Sequence, residues 1–282
     1  MNDTGKPPAN SHSITQAISR VLQEGAVAVL VTLIEAPLDA AQSVGAKFLV
    51  ESSGASVGSF GDAALDESVA DQAVKFLAAH SEAQTFRVED FAPALAEWRG
   101  VRLLFERVEP GPHIVVCGAG HVGAALASLS RLLGYRVTLI DDRPDFVARG
   151  RFLDAEIELI AAREGWTKAV RASVGTGRGV AVAVVTRGHN EDEECLRAVL
   201  EAKPDYVGMI GSRRRTNIVL ERLRETGVEE SRLREVRAPI GLDIAAVTPE
   251  EVALSILAEI IAARRGSTGA PLSTWRRSDD GR

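Results

Sequence analysis

The stretch VVCGAGHVGAALASLSRLLGYRVTLIDD, Val115 to Asp142, decides the reading of this chain. HIVVC, His113 to Cys117, is short, apolar and rich in β-branched residues, as a strand buried on both faces requires. Gly118, Gly120 and Gly123 follow at once in G-x-G-x-x-G spacing. Val122, Leu126, Leu129 and Leu133 then share one helical face at i, i+4, i+7 and i+11. Gly134 stops that helix, and RVTLI, Arg136 to Ile140, supplies the next strand. This context gives the motif its meaning. The first glycine permits a tight turn, the second lets a pyrophosphate approach the backbone, and the third allows helix and strand to pack closely. Asp141 and Asp142 stand just past the second strand, where an acidic residue would take a ribose hydroxyl pair.

Toward the C-terminus the alternation continues. EIELI (Glu156 to Ile160), GVAVAVV (Gly179 to Val185) and DYVGMI (Asp205 to Ile210) read as further strands, separated by helical stretches around Trp166 to Ala172 and Asp192 to Leu200. Parallel strands need crossover connections, so this order predicts a parallel sheet with helices on both faces. Toward the N-terminus, EPGP, Glu109 to Pro112, interrupts both periodicities and reads as a linker. Before it come a helix from Ile14 to Gln23 and the strands AVAVLVTLI and AKFLVE. A helix with Leu65, Val69, Ala73 and Phe76 on one face and a strand from Val101 to Val108 complete this half. The expected fold is α/β: a smaller α/β domain over residues 13–108, the linker 109–112, a Rossmann-like parallel-sheet domain over 113–265, and a mobile tail over 266–282.

Charge and composition narrow the function. A formal charge of −6 with both signs mixed along the 282 residues leaves no basic face for a nucleic-acid backbone. The early apolar run, Ala26 to Ile34, is far short of the ~20 residues a membrane-spanning helix needs. Cys117 and Cys195 lack CxxC or Cys/His spacing, which argues against a disulfide framework or structural zinc and suits a reducing cytoplasm.

Three further loops could meet the glycine turn, because ligands of open α/β sheets lie beyond the carboxyl ends of the strands. The first is Thr186 to Asp192, with His189 its best-placed titrating group; the plainer alternative is a loop capping a helix through Asn190 or Asp192. IGSRRR, Ile210 to Arg215, places a glycine, a capping serine and three arginines at a helix start. Cations there oppose the helix dipole, so they either receive an anion or point outward into water. The third is PIGLD, Pro239 to Asp243. It precedes a helix opened by Thr248, Pro249 and Glu251, whose apolar stripe (Val252, Ala253, Ile256, Leu257, Ile260, Ile261) serves as core or as a homodimer face. His121, inside the glycine loop, is either a ligand contact or an ordinary hydrogen-bonding residue.

Four ordered segments carry a resemblance: GAGHVG at Gly118 to Gly123, VVTRGHNEDEECL at Val184 to Leu196, YVGMIGSRRR at Tyr206 to Arg215, and APIGLDIAAVTPEEVALSILAEI at Ala238 to Ile260. Together they resemble the XdhC/CoxI family, accessory factors for xanthine dehydrogenase and related molybdenum hydroxylases. VGAKFLV (Val44 to Val50) and GSFGDAALDESV (Gly58 to Val69) resemble the family's N-terminal domain more faintly. Many members have a G-G-G or G-G-C stretch and a glutamate where this chain has Asp62, Ala63, Ala64 and Asp66, so a thiol contact from that segment is not expected here.

The resemblance implies an accessory chaperone rather than an enzyme, with no catalytic residues and no metal-ligand set of its own. It would bind the molybdenum cofactor, as molybdopterin or its dinucleotide, while a cysteine desulfurase supplies the terminal sulfur, and deliver it to an apo molybdenum hydroxylase. The candidate contacts are Gly118, Gly120, His121, Gly123, Asp141, Asp142, Thr186, His189, Gly211, Ser212, Arg213, Arg214, Gly241 and Asp243. The alternative is an NAD(P)-dependent oxidoreductase, which the glycine turn and Asp141/Asp142 would equally serve.

Overall fold

The computed structural model describes residues 11–37, 44–79 and 81–273. The chain divides into two compact units at Pro110/Gly111.

The first unit is a five-stranded sheet in the order β3-β2-β1-β5-β4. Its strands are β1 (Ala28–Glu35), β2 (Lys47–Glu51), β3 (Ser56–Gly58), β4 (Ala83–Arg87) and β5 (Arg102–Val108), and every pairing is antiparallel. Helix α1 (Ser11–Gln23) sets Ile14, Ala17 and Val21 against Ala28 and Leu49. Helix α2 (Ala63–Ala78) buries Leu65, Val69, Ala73 and Phe76 in a separate cluster with Val29, Val31 and Phe105. Full burial of each large apolar side chain there is worth about 1.5–3 kcal/mol. Asp62 caps α2 through the amides of Ala64 and Leu65 and accepts from Trp98 Nε1 at 2.9 Å. The Trp98 bond, with those amides, holds its carboxyl below the usual range. Asp66 accepts from the Phe60 amide at 2.8 Å, so both acids of this segment serve the turn before α2. A one-turn helix, α3 (Val88–Phe91), precedes β5.

The second unit is a six-stranded parallel sheet. Its strands are β6 (His113–Cys117), β7 (Arg136–Asp141), β8 (Ile157–Ala161), β9 (Val180–Val184), β10 (Tyr206–Met209) and β11 (Val236–Arg237). They lie in the order β11-β10-β9-β6-β7-β8. Counted from β6 as the first strand, this is the 3-2-1-4-5-6 order of the dinucleotide-binding fold, and the order reverses between β6 and β9. Helices α4 (His121–Leu132) and α9 (Pro249–Arg264) belong to one apolar cluster, and α5 (Trp166–Val174), α6 (His189–Ala202) and α7 (Arg213–Glu225) to another. A short helix, α8 (Glu230–Arg234), leads into β11.

On α9, Ala253, Ile256, Leu257 and Ile260 are buried within the chain's own core, so the stripe read as core or homodimer face is core. The capping box forms as its sequence predicts, with Thr248 and Glu251 bonding reciprocally. Residues 266–273 are irregular and exposed; the rest of the expected tail, 274–282, lies outside the described residues.

Two polar features lie inside this unit. His113, at the start of β6, meets Thr138 Oγ1 at 2.9 Å, and Thr138 donates to Glu158 at 2.7 Å. Burial, with Arg136 nearby, pushes the His113 pKa down to about 4. Cys117 and Cys195 are both fully buried, and burial, with Cys117 as its neighbour, raises the Cys195 thiol well above its ordinary value.

Candidate functional site

Beyond the carboxyl ends of β6, β7, β9 and β10 lies a crevice of about 390 Å³ at the reversal of strand order. That volume falls in the ~300–1,000 Å³ range of small-molecule sites. Gly118, Gly120 and His121 from the glycine turn, Asp141 and Asp142 after β7, Thr186 and Arg187 after β9, and Gly211 and Arg215 after β10 line it, with Trp166 and Pro249 at its walls.

The three glycines answer to three different demands. Gly118 adopts φ +115°, and a Cβ there would stand 2.5 Å from the Val185 carbonyl oxygen. A Cβ on Gly123 would stand 1.8 Å from the Gly118 carbonyl oxygen, so the first turn of α4 packs directly on the turn beneath it. A Cβ on Gly120 would meet nothing within 4 Å. Gly120 is also the N-cap of α4 and supplies no side-chain cap. The first amides of α4 therefore start at the crevice wall without the partner that Asp62, Ser212 and Thr248 give other helices. Gly188, the N-cap of α6, likewise offers no side-chain cap.

Asp141 is buried and holds the turn in place. One carboxylate oxygen accepts from the Ala119 amide at 2.7 Å and Arg143 Nη2 at 2.9 Å; the other accepts from the Arg143 amide at 2.9 Å and Nε at 2.8 Å. Burial works against its ionisation, and the Arg143 guanidinium with the two amides overcomes it, so its pKa lies below the usual range. With about four acceptor positions on a carboxylate, all are used. The ribose contact expected of Asp141 is thus replaced by a structural one. Asp142 is half-buried and takes a bidentate pair from Arg187, both bonds 2.9 Å, which spans from the loop after β7 to the loop after β9.

A third pair lies behind the wall. Asp192 is fully buried; Thr186 Oγ1 donates to one of its oxygens and Arg215 Nε to the other at 2.7 Å, while Arg215 Nη2 reaches the Thr186 carbonyl at 3.3 Å. Every arginine in the crevice wall, Arg143, Arg187 and Arg215, therefore has a carboxylate partner. Net attraction for an anion falls to the uncapped amides.

The other predicted positions differ. Ser212 spends its hydroxyl on the Arg215 amide as helix cap. Arg213 and Arg214 are exposed and outside the crevice wall; it is Arg215, one position on, that turns inward. Gly241 packs on α9, where a Cβ would stand 2.4 Å from Ser255 Oγ, and its amide donates to Glu259 at 2.6 Å. Glu259 also accepts from Tyr206 at 2.8 Å. Asp243 is exposed and outside the wall. His189 begins α6, but its side chain lies outside the described residues. Among the described residues, no three His, Cys, Asp or Glu side chains gather to hold a metal, and no helix is long and apolar enough to cross a membrane.

Sheet order and glycine turn define a Rossmann-type domain whose crevice lies at its switch point, beside a helix N-terminus with no side-chain cap. Residues 114–260 match the family model described as the XdhC Rossmann domain, and residues 21–89 match that of the XdhC and CoxI family. The chain belongs to the XdhC and CoxI family. It is 33% identical over 159 residues to the uncharacterized protein YqeB of Escherichia coli K12, covering 56% of this chain and 28% of that protein. To a probable xanthine dehydrogenase subunit of Bacillus subtilis 168 it is 28% identical over 163 residues, 58% of this chain and 46% of that one. To the molybdenum cofactor insertion chaperone PaoD of Escherichia coli K12 it is 32% identical over 122 residues, 41% and 38% respectively. The matches thus span less than half the length of each relative.

Proposed function

We propose that this chain binds the molybdenum cofactor by its phosphate end in the crevice and holds it, in the cytoplasm, for transfer to an apo molybdenum hydroxylase. A cysteine desulfurase would supply the terminal sulfur to the held cofactor. Residues 113–265 are then the binding module, joined through 109–112 to a separate unit over 13–108.

The observation that carries this reading is the α4 N-terminus: an uncapped row of amides faces open space at Gly120, over a crevice of small-molecule size. Such a terminus favours a phosphate through both its free N–H groups and the helix dipole. The donor set fits a phosphorylated pterin. Gly120 and His121 would meet the phosphate, Arg187 is the exposed cation that can turn to it, and Trp166 gives an aromatic wall. When bound, the cofactor carries the molybdenum centre that the hydroxylase will use. The chain's own part is to bind, orient and release. The names of PaoD and of the Bacillus subtilis relative point the same way.

The 3-2-1-4-5-6 strand order favours one second reading, a nicotinamide-dependent oxidoreductase. Against it stands Asp141, whose acceptors are filled.

The test is to purify the chain from cells making excess cofactor, release any bound pterin and quantify it, then mix the loaded chain with apo-hydroxylase. Near-stoichiometric pterin and a gain in hydroxylase activity are expected. An empty chain that leaves hydroxylase activation unchanged, or NAD(P)H turnover with a substrate, overturns the proposal.

A further inference from the structure

We propose that the crevice takes a nucleoside 5′-diphosphate group, with the base lying flat on the guanidinium of Arg143. This deepens the reading above and rests on it for the place of the phosphates.

Arg143 is the second residue past β7, the strand beyond which the nucleoside of a dinucleotide lies in this sheet order. Its guanidinium is fixed in two directions. Asp141 holds Nε and Nη2 at 2.8 and 2.9 Å, which sets the plane, and the Phe146 ring lies 3.4 Å from the guanidinium carbon, which backs one face. Arg143 lines the crevice whereas Phe146 does not, so the surface offered to a ligand is the one turned away from that ring. Nη1 makes no hydrogen bond among the described residues, and the side chain keeps about a third of its surface exposed, 32%.

With its charge matched by Asp141, and Asp142 close by at 3.9 Å, Arg143 offers a phosphate little net attraction. What remains is a rigid, planar, polarised plate. Such a plate recognises a flat heteroaromatic ring through stacking, which a lysine cannot do. Phe146 also lies beneath Arg151, 4.7 Å from its guanidinium carbon, so the backing ring is itself held. The diphosphate then falls to the α4 amides and the base to the Arg143 plate. A pterin dinucleotide and a nicotinamide dinucleotide both present this chemistry.

The test is calorimetric titration of the full chain with pyrophosphate, ADP, CDP, GDP and NADH, repeated on Arg143→Lys and on Phe146→Leu. The first variant keeps the charge and loses the plane; the second leaves the Asp141 pair in place and loosens the plate. The wild type is expected to bind at least one nucleoside diphosphate about tenfold more tightly than pyrophosphate, and both variants to cut that gain below about threefold, with pyrophosphate affinity level in Phe146→Leu, which leaves the Asp141 pair intact. CDP or GDP ahead of ADP and NADH identifies a pterin dinucleotide as the source. NADH ahead of ADP supports the nucleoside subsite and counts against the cofactor-chaperone reading. No gain over pyrophosphate in the wild type, or a gain kept by both variants, overturns the inference. A phosphorylated pterin that binds without any nucleoside gain sinks this inference alone, whereas loss of all phosphate binding sinks the parent reading with it.

Discussion

Replacing Gly120 and Gly123 by alanine, one at a time, separates the two duties of the turn. In Gly123→Ala the new Cβ starts 1.8 Å from the Gly118 carbonyl oxygen, against the 3.0 Å below which real Cβ contacts are essentially never seen. Helix α4 must retreat by about 1.2 Å from backbone that cannot yield, and α4 is packed within the core cluster that includes α9. Overpacking of this kind costs about 3 kcal/mol, the upper end of its usual range. For a unit of this size, about 2–4 °C in Tm per kcal/mol gives a fall of roughly 6–12 °C. Gly120→Ala meets open space at φ −68°, a value alanine adopts freely. The weaker N-cap costs about 0.5–1 kcal/mol. Reduced freedom of the unfolded chain offsets about 0.4–1 kcal/mol of that. Its Tm should therefore stay within a few degrees, while pyrophosphate affinity, read by calorimetry, falls at least about tenfold, or 1.4 kcal/mol. A Gly123→Ala protein melting with the wild type refutes the steric account. Gly120→Ala melting as low as Gly123→Ala, or binding as well as the wild type, refutes the assignment of Gly120 to the ligand.

Three other expectations can be checked on the same protein. His113 has its folded pKa depressed from 6.5 to about 4, so the unfolded chain binds the extra proton first and stability falls as pH drops through that window. At 1.36 kcal/mol per unit the loss approaches about 3 kcal/mol at pH 4, and in urea titrations His113→Leu should lack this slope. Asp192→Asn leaves Arg215 without its buried carboxylate and should cost about 3 kcal/mol in denaturant unfolding; a loss under 1 kcal/mol would show the pair to be incidental. Asp142→Asn breaks a half-exposed pair and leaves Arg187 only its i+4 partner Glu191 at 3.2 Å, so stability should change by no more than about 1 kcal/mol, yet pyrophosphate should bind a few-fold more tightly. Unchanged or weaker binding would mean that Arg187 does not turn to the ligand.

Much of the second unit was legible because its strands are buried on both faces and therefore spell continuous apolar runs. Gly179 to Val185 contains β9, Val180–Val184, and Asp205 to Ile210 contains β10, Tyr206–Met209. Strand β11 has two residues and no run to read. In the first unit, β4 is an edge strand, mostly exposed, so AQTFR carries no alternation, and the antiparallel sense of the sheet is set by pairings no local pattern records. The glycine turn and Asp141 were found by position, but what Asp141 binds was not, because Arg143 competes for it at a separation of two residues. Arg213, Arg214 and Arg215 are chemically alike and about 100° apart around α7. Only the buried partner Asp192, 23 residues upstream, selects the third.

The sealed thiol pair beneath the glycine turn bears on how sulfur could reach a held cofactor. Under the proposed role the chain would stand beside persulfide chemistry, where an accessible nucleophilic cysteine would divert the atom in transit. Cys117 and Cys195 have no solvent-exposed surface, and burial raises the Cys195 thiol away from its thiolate form. Neither can serve as a relay in the folded state, so under that role the donated atom would travel on the donor protein itself, and thiol-alkylating reagents should leave Cys117 and Cys195 of the native chain unmarked.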